Sequence, residues 1–365
     1  MMEFICSECG MRVSAATRLP RCSCGGLWDL DFTPPVFDSE LIDRDEWSIF
    51  RYRRFLALED DSWRNVTLGE GMTPILRLNR DVMLKMDYYM PTSSFKDRGA
   101  AVLISHCKSI GITSVVQDST GNAGNSVAAY CSRVDIACEI FVPEDTPQKM
   151  IDQIQTHGAT CTVVHCNRDQ CADLCRAKAR EEDVYYASHV YNPLFFEGTK
   201  TYIYEVLEQL HRIPDNLLLP VANGALLIGV VRALEGLLAS GVIAKMPQII
   251  AVQSERCAPL FLAAQRGEYV PAEVTPGQTL APALAIGKPK RGKEILMYAA
   301  KYGIRFVMAP EEEIEHAHAE LASHGIYCEL STAANYAAYK RYCAQYGRTE
   351  DCLIALCGAG ESASC

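Results

Sequence analysis

Pro91-Thr92-Ser93-Ser94-Phe95-Lys96-Asp97-Arg98-Gly99 stands between two apolar runs of different rhythm. The run before it, Val82-Met83-Leu84-Lys85-Met86, is short and reads as a strand. The run after it, rich in Ala, Val, Leu and Ile, reads as a helix over 97–110. Lys96 is thereby set at a helix N-terminus, where backbone N–H groups and the positive dipole end disfavour a second positive charge and make an amine more nucleophilic. The same nine residues also read as a plain surface turn, with Asp97 and Arg98 solvated at the helix start.

Outward from this stretch the chain alternates helices with short apolar strands. The spacing predicts a strand over 114–116, a helix over 123–133, a strand over 137–142, a helix over 147–157, a strand over 160–164 and a helix over 168–181. Such alternation implies βαβ units and parallel sheets, an α/β fold. Between the first strand and its helix lies Asp118-Ser119-Thr120-Gly121-Asn122-Ala123-Gly124-Asn125. Loops at the carboxyl ends of parallel strands are where such sheets bind ligands, although a capped strand-to-helix turn has the same composition. Further on, a strand over 217–221 feeds Ala222-Asn223-Gly224-Ala225-Leu226, which opens a helix over 226–240 and has the character of a phosphate cradle. A last buried strand over 352–356 ends in Cys357-Gly358-Ala359-Gly360. His189, alone after a strand, reads as a structural residue.

The N-terminus carries Cys6-x-x-Cys9-Gly10 and, twelve residues on, Cys22-x-Cys24-Gly25-Gly26. Two thiol pairs at this separation can converge on one Zn²⁺, and the glycines permit the tight turns involved. The second pair has one intervening residue in place of two, so that knuckle is either distorted or metal-free. Residues 1–32 contain too few apolar side chains to fold without such a staple.

With 365 residues the chain can bury a large core and suggests about two domains with a small appendage. A net charge of −10 argues against nucleic acid or an anionic membrane as the main partner. No apolar run reaches the length of a bilayer span, and Met1-Met2-Glu3-Phe4-Ile5-Cys6 lacks the regions of a signal peptide, so the expected location is cytoplasmic. Seventeen cysteines, several of them inside helical stretches, fit a reducing compartment.

The nine-residue stretch resembles the cofactor-lysine segment of the fold-type-II pyridoxal-phosphate enzymes, the tryptophan synthase β superfamily. It is most similar to the threonine-synthase form Asn-Pro-Thr-Gly-Ser-Phe-Lys-Asp-Arg-Gly, with Met90 and Ser93 replacing the Asn and Gly. Leu68-Gly69-Glu70-Gly71-Met72-Thr73-Pro74-Ile75 resembles the Gly-Glu-Gly-Asn-Thr-Pro-Leu run of the same group, and Glu197-Gly198-Thr199-Lys200-Thr201 is similar to it as well.

The resemblance implies two open parallel-sheet αβα domains with pyridoxal 5′-phosphate between them, plus a structural zinc ribbon. Its domains would be 1–32 for the ribbon, 33–80 with 200–365 for the large domain, and 81–199 for the small one. It makes Lys96 the Schiff-base lysine and the base that moves protons at the substrate carbons. Ser119, Thr120, Asn122 and Ala123 would grip the substrate carboxylate, and Asn122 would also face the cofactor 3′-oxygen. Ala222, Asn223, Gly224, Ala225 and Leu226 would hold the cofactor phosphate. Cys357 would meet the pyridine nitrogen, or else be an ordinary core cysteine. Cys6, Cys9, Cys22 and Cys24 would be the zinc ligands, and the chain would act on a small amino acid as a homodimer.

Two substrate readings stay open. One is the threonine-synthase reaction on O-phosphohomoserine. The other is β-elimination or β-replacement on a serine-, threonine- or cysteine-like amino acid, as in dehydratases or cysteate synthase. A non-catalytic paralogue is a third class. Typical threonine synthases carry hydroxyls where Ala123 and Gly124 stand, which favours a smaller substrate and suggests that Ala123→Thr with Gly124→Ser would restore phosphate recognition.

Overall fold

The computed structural model describes residues 2–119, 121–165 and 168–360, the side chains of 168 and 169 excepted. Thr120 therefore lies outside the described residues. In chain order the described strands are β1 (Glu3–Cys6), β2 (Arg12–Ser14), β3 (Trp28–Leu30), β4 (Ile75–Arg77), β5 (Val82–Lys85), β6 (Ser114–Asp118), β7 (Ala137–Pro143), β8 (Thr160–Val164), β9 (Tyr185–Tyr186), β10 (Asn216–Pro220), β11 (Gln248–Ser254), β12 (Arg305–Ala309) and β13 (Cys352–Ala355).

The chain divides into two compact units, 1–71 with 96–199 and 72–95 with 200–365. The first unit holds a small antiparallel sheet, β2-β1-β3, and a parallel sheet in the order β8-β7-β6-β9. The alternation read from the sequence is realised closely, with helices Lys96–Ser109, Asn122–Arg133, Gln148–Thr156 and Arg168–Glu181 between or beside these strands. Phe4 and Trp28 of the small sheet are buried, and Leu27 packs on a cluster containing Val116, Phe141 and Tyr186.

The second unit is built on a six-stranded sheet, β12-β11-β10-β13-β5-β4. Its members run parallel except β4, which pairs antiparallel with β5 at the edge. Leu217-Leu218-Leu219, Ile249–Val252 and Cys352–Ala355 are buried throughout, the continuous apolar pattern of parallel strands covered on both faces. β4 shows the opposite, with Leu76 and Arg77 exposed as befits an edge.

The unit boundaries differ from those expected. Residues 81–95 go with 200–365 because β5 pairs with β13 from Val82↔Cys352 to Lys85↔Ala355. Residues 33–71 go with 96–199 through specific bonds: the Ala57 N–H donates to Glu197 at 2.9 Å and the Tyr130 hydroxyl to Glu70 at 2.9 Å. Ile49–Phe55 form a 3₁₀ helix capped by the Ser48 hydroxyl.

Candidate active site

In the second unit, the residues leading to Lys96 are zipped to the turn after β13. Phe95 N–H donates to the Cys357 carbonyl at 2.9 Å, Ala359 N–H to the Ser93 carbonyl at 3.0 Å, and Ser94 bridges Gly358 in antiparallel fashion. Two motifs more than 250 residues apart in sequence thus form one ladder. Ser93 sits at φ 62°, the left-handed region, which explains why the resembling motif has glycine there. Cys357 is buried and lies two residues beyond the end of β13.

β10 is the parallel neighbour of β13, so the loop 221–224 opens on the same sheet edge. Val221 N–H is tied to the Val252 carbonyl at 2.8 Å, and Gly224 caps the helix Ala225–Ala239 at φ 85°. A Cβ on Gly224 would run into Ile295, so the position requires glycine by both conformation and space. Ala222 and Asn223 are half-buried, while Ala225 and Leu226 are buried and offer only first-turn amides, which have no acceptor within the helix. This is a cradle that backbone N–H groups line at a helix N-terminus. It fits a phosphate.

In the first unit Lys96 is the first residue of helix Lys96–Ser109 and is half-buried. Asp97 and Arg98 are fully buried, which rules out the solvated helix start. The Ser126 hydroxyl donates to the Asp97 carboxylate, joining the lysine helix to helix Asn122–Arg133. Gly198 lets a third helix approach: a Cβ there would overlap the Arg98 carbonyl. That accounts for the glycine of Glu197-Gly198-Thr199, and Glu197 accepts from Ala57 as noted above.

The loop after β6 is tight. Gly121 N–H lies 3.4 Å from Ser119 Oγ, Gly124 N–H donates to the Gly121 carbonyl at 3.0 Å, and Ser119 and Ala123 are buried while Asn122 is half-buried. A Cβ on Gly124 would stand 2.9 Å from the Ser119 carbonyl oxygen and 3.2 Å from Ile140. The expectation that Gly124→Ser would restore a phosphate-binding hydroxyl is therefore corrected. Position 124 has no room for a side chain unless the loop shifts.

Glu70, within the run that resembles Gly-Glu-Gly-Asn-Thr-Pro-Leu, is fully buried. Burial pushes its carboxyl up to about 7, against hydrogen bonds from Leu68 N–H, the Tyr130 hydroxyl and the Thr67 hydroxyl that favour the charged form. Between the ordinary glutamate range and about 7 the folded chain holds a proton that the unfolded chain releases, so stability falls as pH rises through that window. Glu70→Gln keeps an oxygen for Tyr130 and Leu68 and an amide for Thr67. The variant should exceed the wild type at pH 8 by about 3 kcal/mol, the gap closing near pH 5. Urea unfolding at both pH values measures it, and a gap that does not change with pH would show that Glu70 does not titrate with folding.

The four N-terminal thiols converge. Their sulfurs lie within 4.8 Å of one another, with Cys6 and Cys24 at 3.5 Å and Cys9 and Cys22 at 3.7 Å. A tetrahedral Zn–S site with bonds of about 2.3 Å has sulfur separations of about 3.8 Å, so the one-residue knuckle does not prevent the set from holding a metal.

Residues 66–358 match the family model described as pyridoxal-phosphate dependent enzyme. The threonine synthase of Methanocaldococcus jannaschii is 28% identical over 351 residues, covering 92% of this chain and 86% of that one. The threonine synthase of Mycobacterium leprae is 31% identical over 298 residues, covering 79% and 80%. Among solved structures, the processed form of threonine deaminase isoform 2 from Solanum lycopersicum superposes with a TM-score of 0.71 at 22% identity, covering 91% of each chain. Maize serine racemase gives 0.71 at 17% identity, covering 84% of this chain and 95% of that one. These two likenesses concern the fold, which is that of fold type II. Sequence and fold agree that this chain belongs to the pyridoxal-phosphate dependent enzyme family and is a lyase resembling threonine synthase.

Proposed function

We propose that the chain converts O-phosphohomoserine and water to threonine and phosphate. The observation that carries this reading is the ladder joining Ser93–Phe95 to Cys357–Ala359, which places the lysine segment against the turn proposed to meet the cofactor ring. The threonine synthases that match 92% and 79% of the chain support the substrate. Bound pyridoxal 5′-phosphate would supply electron withdrawal at the substrate α carbon. Lys96 would anchor the cofactor and remove the α and β protons; phosphate would leave from the γ carbon, which gains a proton to become the methyl group, and water would add its hydroxyl at β as a proton returns to α.

Amides of Ala222, Asn223, Gly224, Ala225 and Leu226 would hold the cofactor phosphate, and Cys357 the ring nitrogen. Asn122 would face the cofactor 3′-oxygen and, with Ser119, Thr120 and Ala123, bind the substrate carboxylate. A homodimer belongs to the same reading and rests on the resemblance alone, with the cytoplasm as the expected location. The lack of room at Gly124 favours the second reading, elimination on a serine- or threonine-like amino acid. Incubation with O-phosphohomoserine separates the two: equal amounts of threonine and phosphate support the first. Formation of a 2-oxo acid from serine or threonine, with no phosphate release from O-phosphohomoserine, would replace it by the second.

The thiol cluster is proposed to hold one structural Zn²⁺. Protein purified under reducing conditions should contain about one zinc per chain, and Cys9→Ser should lower the melting temperature more than it lowers kcat. Metal analysis showing none would remove the site, and a chelator that halts turnover without unfolding any part would refute the structural role.

A further inference from the structure

β6 and β7 run parallel with Asp118 opposite Phe141, so the loops after them share one edge of the sheet. The loop after β6 leads to Asn122, and the loop after β7 leads through Thr146 and Pro147 to helix Gln148–Thr156. The two approach closely, since the Met150 methyl would be 3.6 Å from a Cβ on Gly121. Thr146 is only 7% exposed, its amide is used on the Pro143 carbonyl at 3.1 Å, and its hydroxyl has no hydrogen-bond partner among the described residues. Asn125, in the first turn of the neighbouring helix, likewise has a buried side-chain oxygen without a partner among the described residues.

A buried hydroxyl left unpaired lowers stability, and native proteins keep few of them. Valine has nearly the same shape and would avoid the penalty, so a hydroxyl at this place points to a ligand. The opposite flank of the loop offers no alternative, because Gly124 has no space for a side chain. A threonine hydroxyl donates one hydrogen bond and accepts two, which suits either an ester oxygen of a phosphate or a free hydroxyl.

We infer that Thr146 is a specificity-determining residue whose hydroxyl binds the oxygen carried by the side chain of the amino-acid substrate. This rests on the function proposed above and supplies the leaving-group contact that Ala123 and Gly124 do not. Holoenzyme carrying Thr146→Val should show a KM for O-phosphohomoserine raised about 10- to 100-fold, with kcat changed by less than about twofold. Its melting temperature should equal or exceed that of the wild type, its bound-cofactor absorption should be unchanged, and Thr146→Ser should restore KM.

An unchanged KM in Thr146→Val would overturn the inference, whether or not the melting temperature moves, and would assign the hydroxyl to an enclosed water. Failure of the proposed function gives a different result. If the wild type releases no phosphate but forms 2-oxo acid from threonine or serine, the same two variants are compared on that hydroxy amino acid. A raised KM there supports Thr146 as the side-chain oxygen contact, and an unaltered KM rejects it.

Discussion

Lys96→Ala should lose at least about 10³-fold in turnover, the combined effect of removing a covalent anchor and a proton carrier. The protein should still fold, because Lys96 is only half-buried and the Asp97–Ser126 bond and the ladder from Ser93 to Phe95 do not use its side chain. Added small primary amines should recover part of the activity. The cofactor should remain bound through the cradle at 222–226 but lose the absorption of its lysine-bound form. Full-rate turnover in the variant would assign proton transfer to another group.

The second large effect concerns a different lysine. Lys85, at the end of β5, is completely buried and donates to the Thr73 carbonyl at 2.6 Å, Glu205 at 2.8 Å and Gln209 at 2.9 Å. Gln209 also donates to the Thr73 carbonyl at 2.9 Å, and the Thr73 hydroxyl donates to buried Asp87 at 2.7 Å. This network fixes Thr73-Pro74, the end of the glycine-containing run that precedes the strand. Lys85→Met would leave the Glu205 carboxylate buried without its cation. The expected loss is about 3–5 kcal/mol, the range for breaking a buried pair from one side. Lys85→Met with Glu205→Leu should recover most of it, because replacing both partners removes the uncompensated charge. Urea unfolding of the two variants tests this, and a double variant no more stable than the single one would show that packing, and not charge, sets the cost. Three acceptors around one ammonium make Lys85 a structural lysine.

The parts of this protein set by local rhythm were legible in the sequence. Strands over 137–142 and 160–164 and helices over 123–133 and 168–181 are found within one or two residues, because each carries its own apolar pattern between turn residues. The cysteine cluster was legible from spacing even with the shortened knuckle. Properties that depend on distant partners were not. Asp97 and Arg98 have the composition of a solvated helix start, yet Asp97 receives a hydroxyl from Ser126 and both residues are buried.

Glu70 gives no local sign of being buried, since Tyr130, which donates to it, lies sixty residues away. The membership of β5 in the second unit depends on β13, near the other end of the chain. The spacing of a strand says where it begins and ends but not which strand it will join. Similarly, the glycine at 124 is explained only by the Ser119 carbonyl that presses on it, so a departure that looked like a lost phosphate contact is a close-packed turn. Thr146 was invisible because an unpaired hydroxyl can be recognised only when its surroundings are known.

Lys96 is proposed to carry the cofactor in this chain. Borohydride reduction of the purified wild-type protein followed by peptide mapping tests it most directly. One pyridoxyl phosphate adduct per chain is expected, on the peptide containing Lys96 and absent from those containing Lys85 and Lys200. An adduct on either of those lysines, or none in protein that turns over substrate, would contradict it.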